Sequence, residues 1–130
     1  MNSILTILYV EDEEDIREVT EFALEDEGFE LIPCASGHDA LEKAKDIQPD
    51  LLLLDMMMPG MDGMTTAKKL RELPHLADVP LVFMTAKIQS SELEKYRAIG
   101  ALDVIGKPFD ALELPNQIRA ILQKFRNNHS

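Results

Sequence analysis

Three carboxylates, one hydroxyl and one amine stand where the chain could assemble a phosphate chemistry: Glu11 and Asp12, Asp55, Thr85 and Lys107. Each follows a short apolar run, and if those runs are parallel strands, all five groups share one sheet edge. Ligands bind beyond the carboxyl ends of strands in open α/β sheets, so residues distant in sequence can converge there. Clustered Glu11, Asp12 and Asp55 would repel one another without a cation, and their hard oxygens suit magnesium, with manganese as the alternative. Magnesium takes few protein carboxylates and keeps water and phosphate oxygens, which matches so sparse a set. Phosphoryl transfer needs an in-line nucleophile and neutralised equatorial oxygens. Asp55 is the candidate nucleophile, forming an acyl phosphate, while Lys107 contacts a second oxygen and Thr85 donates its hydroxyl to a third. Singly, each residue has a plainer reading: Asp12 beside a helix start, Asp55 in a turn, Thr85 and Lys107 as surface groups. Their coincidence at matching strand ends favours a site.

The elements that must position them follow from periodicity. Thr6 to Val10 form an apolar strand, and Ile16, Val19, Ala23 and Leu24 recur at helical spacing before Gly28. Glu30 to Cys34 make a second strand, and Ser36 with Asp39 starts a helix striped by Ala40, Leu41, Ala44 and Ile47. Leu51 to Leu54 do not alternate, which predicts a central parallel strand covered on both faces. Met64, Ala67 and Leu70 mark a third helix, Pro80 to Met84 a fourth strand, Leu93, Tyr96 and Ile99 a fourth helix, and Leu102 to Ile105 a fifth strand. Pro115 opens the last helix, whose stripe is Ile118, Ile121, Leu122 and Phe125. Five β-then-α units predict a doubly wound α/β fold with a five-stranded parallel sheet and five helices on two faces. Strand two carries no comparable polar group at its end, which places it at the edge, as in the flavodoxin-like order 2-1-3-4-5. Residues 1–126 are expected to form one domain and residues 127–130 a loose tail.

Composition narrows the class. The chain of 130 residues is 45% hydrophobic and 28% charged, which suits one globular domain. One cysteine, Cys34, excludes an internal disulfide, and neither a leader nor a membrane-spanning run is read, so a cytoplasmic protein is expected. The net charge of −11 is concentrated between residues 11 and 30, which hold eleven acids against Arg17 alone. Such a field repels phosphate backbones and argues against direct nucleic-acid binding. The methionines at 56, 57, 58, 61 and 64 read as loop packing rather than a soft-metal site, and His38, His75 and His129 lack ligand spacing. No organic cofactor is expected.

The segments YVEDEED, LLLLDMMMPGMDG, FMTA and VIGKPF resemble, in order and across essentially the whole chain, the motifs of bacterial response-regulator receiver domains. The resemblance implies a single-domain, chemotaxis-regulator-like phosphoacceptor. Asp12 would be the direct metal carboxylate with Glu11 beside it, Asp55 the phosphoacceptor, Thr85 the phosphate-sensing hydroxyl and Lys107 the phosphate-contacting amine. It also implies the Met57 backbone carbonyl as a metal ligand and a cis peptide between Lys107 and Pro108. The phosphoryl donor would be a histidine kinase or histidine phosphotransfer protein, and the output would lie in another protein. Such a chain catalyses only its own phosphorylation and dephosphorylation, and so is not expected to be an enzyme toward other substrates.

Two positions depart from the pattern. Val104 stands where many receivers carry an aromatic that moves with the threonine, so the usual coupling is in question. Glu11 replaces the more usual aspartate, which favours metal contact through water. Met57 and Lys87 flank the approach to the phosphoryl group. Competing readings are a partner-binding scaffold that is never phosphorylated, which Val104 suggests, and a metal-dependent hydrolase, which lacks its usual second acid because Met57 stands there. The acidic first helix with the Lys107-Pro108-Phe109 turn is the candidate kinase-facing surface, with Glu14, Glu18 and Glu21 expected to be exposed. The face of helix four, strand five and helix five is the candidate signalling surface, on which a homodimer is one option.

Overall fold

The structure, a computed structural model, describes residues 4–86 and 90–129. Its order is β1 (Leu5–Val10), α1 (Glu14–Glu25), β2 (Phe29–Cys34), α2 (Gly37–Ala44), β3 (Leu51–Asp55), α3 (Gly63–Arg71), a short 3-10 turn (Pro74–Leu76), β4 (Leu81–Thr85), α4 (Ser90–Ala98), β5 (Ala101–Gly106) and α5 (Leu114–His129). All strands are parallel in the order β2-β1-β3-β4-β5, as the placement of strand two at the edge predicts. Pro33 lies in β2, where an edge tolerates the missing N–H.

Strand alternation sorts the core into two layers. Leu8, Val10, Leu52, Leu54, Leu81 and Phe83 face α2, α3 and α4, meeting Ala40, Ala44, Ala67, Leu70 and Tyr96. Ile7, Tyr9, Leu51, Leu53, Val82 and Met84 face α1 and α5, meeting Leu24, Leu114, Ile118 and Leu122. The leucines at 51–54 are therefore fully buried on alternate sides, each contributing roughly 1.5–3 kcal/mol of apolar burial. Ser36 caps α2 by accepting from the Asp39 N–H at 3.1 Å, while Asp39 Oδ2 accepts from Ala35 N–H, a reciprocal cap.

Three expectations need correction. Val19 does not join the buried stripe of α1: Thr20 and Leu24 are buried, whereas Val19 is half exposed and Phe22 is 80% exposed. Thr20 is buried because its hydroxyl bonds the Tyr9 hydroxyl at 2.9 Å and the Ile16 carbonyl at 2.8 Å, so its polarity is satisfied inside. Glu21, expected to be exposed, is half-buried. Residues 127–129, expected to be part of a loose tail, continue α5; residue 130 lies outside the described residues. Among the described residues no helix is long and apolar enough to cross a membrane.

Candidate functional site

Parallel strands deliver Glu11, Asp55, Thr85 and Lys107 to one edge, and the sheet's own hydrogen bonds extend just past the strands to hold them. The N–H groups of Glu11, Met56 and Lys107 donate to the carbonyls of Cys34 (3.0 Å), Met84 (2.8 Å) and Thr85 (2.8 Å). Backbone registry, rather than side-chain contact alone, sets the site's spacing.

The loop after Asp55 is folded back by its own residue types. Gly60 adopts φ +77°, a left-handed conformation that glycine accepts without penalty. Asp62 accepts from Thr65 N–H at 2.8 Å and caps α3. Gly63 presses against the strand end: a Cβ there would meet the Asp55 carbonyl oxygen and lie 2.8 Å from Met56 Cα. Its N–H donates to the Met56 carbonyl at 3.1 Å. The tight return leaves Met57 exposed at the mouth while Met56 and Met58 are buried. Loop anchoring is thus the role of the latter two methionines.

Carboxylate oxygens of Glu11, Asp12 and Asp55 all lie within 4.8 Å of one another. Glu11 is fully buried, Asp55 and Thr85 nearly so, and Asp12 half-buried. Lys107 Nζ bridges the first pair, 2.6 Å from Glu11 Oε1 and 3.2 Å from Asp55 Oδ1. Asp55 Oδ1 also accepts from the Met57 N–H at 3.3 Å, which orients the carboxylate. Glu11 Oε2 accepts from the Glu13 N–H at 3.2 Å, and Arg17 donates to the Glu11 carbonyl at 2.8 Å.

Electrostatics follow from burial and crowding. Burial pushes Glu11 up to about 7 against the opposing hydrogen bond from Lys107, and the Asp55 charge raises it further. Asp55 is raised by burial as well, despite the charge of Lys107. Burial pulls Lys107 down, but its hydrogen bond to Glu11 and the charges of Asp55 and Glu11 outweigh that and leave it raised. Among the described residues Glu11 and Asp55 share Lys107 while Asp12 adds a third carboxylate to the cluster, and this hard-oxygen donor set fits a divalent cation.

The five groups expected at one edge are all there. The direct Glu11–Lys107 pair was not foreseen; the extra methylene of glutamate lets its carboxylate reach the lysine. Arg17 was also missed, since a lone base among acids carries no pattern. Lys87 lies outside the described residues. The Lys107–Pro108 peptide is cis, as the resemblance implies. Val104 is half-buried beside Phe83, its register partner on β4. His38 and His75 are exposed, His75 Nε2 lying 2.7 Å from the Ala44 carbonyl oxygen.

Comparison with known proteins agrees with this geometry. The family described as the response regulator receiver domain matches residues 7–119. The transcriptional regulatory protein CseB of Streptomyces coelicolor is 37% identical over 119 residues, covering 92% of this chain and 50% of the relative. The phosphate regulon transcriptional regulatory protein PhoB of Rhizobium meliloti is 36% identical over 118 residues, covering 91% of this chain and 52% of the relative. The chain thus spans about half the length of the curated relatives it matches. Among solved structures, chemotaxis protein CheY4 of Vibrio cholerae superposes with a TM-score of 0.87 at 27% identity, covering 92% of this chain and 99% of CheY4. A CheY-like receiver domain protein from Methanospirillum hungatei gives 0.85 at 25% identity, covering 97% and 99%. With one profile running through every strand and the acidic cluster at the strand ends, this chain belongs to the response regulator receiver domain family.

Proposed function

We propose that this chain is a phosphoacceptor of two-component signalling, taking a phosphoryl group onto Asp55 from a histidine kinase or histidine phosphotransfer protein. The observation that carries the reading is the buried Asp55 carboxylate, oriented by Lys107 and the Met57 N–H beside Glu11 and Asp12. Asp55 attacks phosphorus while the donor's bond to phosphorus breaks and its electron pair leaves with the donor nitrogen. Asp12, Asp55, the Met57 carbonyl and, through water, Glu11 would hold Mg2+, or Mn2+ in its place. Such an ion neutralises crowded carboxylates and polarises phosphoryl oxygens. Lys107, freed from one carboxylate, contacts a phosphoryl oxygen, and the Thr85 hydroxyl donates to another.

The donor docks on the acidic side of the molecule. A groove of about 470 Å³ between α1 and the start of α5 exposes Val19, Phe22 and Leu112 beneath Glu18, Asp26 and Glu27. Phosphorylation changes affinity for an output partner, the setting is cytoplasmic, and the acidic field disfavours direct nucleic-acid contact. The chain turns over no external substrate beyond its own phosphoryl group.

Incubation with acetyl phosphate and Mg2+, followed by intact mass measurement, tests this. One phosphoryl adduct is expected, absent in Asp55→Asn and after chelation. A wild-type chain that never gains it is instead a scaffold; rapid multiple turnover of a small phosphoester marks a hydrolase.

A further inference from the structure

With valine at 104, no β5 ring is available to report events at Asp55, yet a ring from another element occupies that layer. Tyr96, in the last turn of α4, is only 6% exposed, and its ring centroid lies 5.3 Å from that of Phe83 at an interplanar angle of 54°. Phe83 and Thr85 are two apart on β4 and so point to the same face of the sheet, the one α4 covers. Val104, paired with Phe83 in register, packs against the same apolar cluster. On its other side Tyr96 borders a cleft of about 750 Å³ together with Met56, Met57, Met58 and Pro59, the loop that leaves Asp55.

Tyr96 therefore contacts one segment that phosphorylation would move and borders a cleft lined by the other. One is the strand carrying Thr85, through Phe83; the other is the loop carrying Asp55 away. Close-packed interiors shift between discrete arrangements, so a ring held against Phe83 responds when β4 moves. The adjoining cleft offers that ring a second position, and its phenol suits a site with one apolar and one open side. A ring at position 104 would compete for the space beside Phe83, so the small valine and the buried tyrosine are complementary.

We propose that Tyr96 is the side chain through which phosphorylation of Asp55 is transmitted to α4, replacing a β5 aromatic with an α4 aromatic packed on Phe83. The inference rests on the phosphoacceptor reading above. As Thr85 draws toward the phosphoryl group, the Phe83–Tyr96 contact rearranges and α4 shifts with its tyrosine.

Tyr9 and Tyr96 are the chain's two tyrosines, which makes the test direct. Incorporated 3-fluorotyrosine yields two fluorine resonances, assigned with Tyr9→Phe, and acetyl phosphate with Mg2+ is added while intact mass follows the adduct. The expected result is a shift of the Tyr96 resonance in step with the adduct, lost in Asp55→Asn. Amide exchange in α4 should respond to phosphorylation in the wild type and lose that response in Tyr96→Ala, with adduct yield unchanged. Val104→Phe, which adds a ring without adding a tyrosine, should displace the Tyr96 resonance before any phosphate is added. A full adduct with an unmoved Tyr96 resonance overturns the transmission route and leaves the phosphoacceptor reading intact; absence of the adduct overturns both.

Discussion

Two half-buried cations, Lys107 and Arg71, sit in contrasting company. Lys107 is held by side chains, the carboxylates of Glu11 and Asp55. Arg71 is held by backbone: its guanidinium donates to the carbonyls of Leu76 (2.8 Å), Val79 (2.5 Å), Ile99 (3.4 Å) and Gly100 (3.5 Å). A carbonyl cage cannot be exchanged without moving the chain, so Arg71 fastens α3 to the 3-10 turn and to the α4–β5 turn. Carboxylate partners are held by a flexible four-carbon stem that can rotate, so under the proposed function Lys107 would trade one of them for a phosphoryl oxygen. Burial lowers the pKa of Arg71 from its ordinary value, offset by the charge of Asp78, whereas Lys107 ends raised. Similar burial thus serves a staple in one place and an adjustable contact in the other.

The largest effects separate the two roles outright. Asp55→Asn should abolish the phosphoryl adduct entirely while the protein stays folded, because the amide keeps the shape and removes one of the crowded charges; intact mass and a thermal melt read both halves. Lys107→Met should slow labelling by acetyl phosphate at least tenfold, a loss of about 1.4 kcal/mol in transition-state stabilisation. Arg71→Met should behave oppositely, costing roughly 2–4 kcal/mol through carbonyls left without their donor yet labelling at the wild-type rate once folded. Arg71→Lys should restore little of that stability, since a point charge cannot reach carbonyls on both sides as the planar fork does. Unimpaired stability in Arg71→Met would remove the staple.

A smaller effect concerns pH in chelator. The folded carboxyl of Glu11 is raised from 4.5 to about 7, so between those values the folded protein holds a proton that the unfolded chain has released. Its contribution is complete below about pH 4.5 and is lost as pH rises through about 7. Urea midpoints should therefore fall across that window, and less steeply in Glu11→Gln. Equal slopes would show that the cluster is not governed by Glu11. The smallest effect is on the docking side: charge reversal at exposed Glu14 and Glu18 should slow transfer from a phosphohistidine donor and leave acetyl phosphate labelling unchanged. A donor indifferent to the reversal would place docking elsewhere.

Local pattern was sufficient for the order of elements, because unalternating Leu51–Leu54 and the helical stripes report burial residue by residue. It was also sufficient to nominate Glu11, Asp12, Asp55, Thr85 and Lys107, since parallel strands send every strand end to one edge. It failed where partners are remote. Val19, read as part of the buried stripe, is half exposed, while Thr20 is buried because it finds the Tyr9 hydroxyl on another element. Arg71 reads as one more base in the last turn of α3, and nothing in that pattern announces that carbonyls of the following turn and of the remote α4–β5 turn surround it.

By itself, then, the sequence determined the alternation of strands and helices, the parallel sheet and the identity of the polar groups at its edge, all properties carried by short-range periodicity and strand direction. Tertiary structure alone decided that Lys107, ninety-six positions from Glu11, bridges it to Asp55, that Arg71 is a staple, and that Tyr96 fills the layer beside Val104. Those outcomes depend on distances between segments far apart in the chain, which no local spacing encodes.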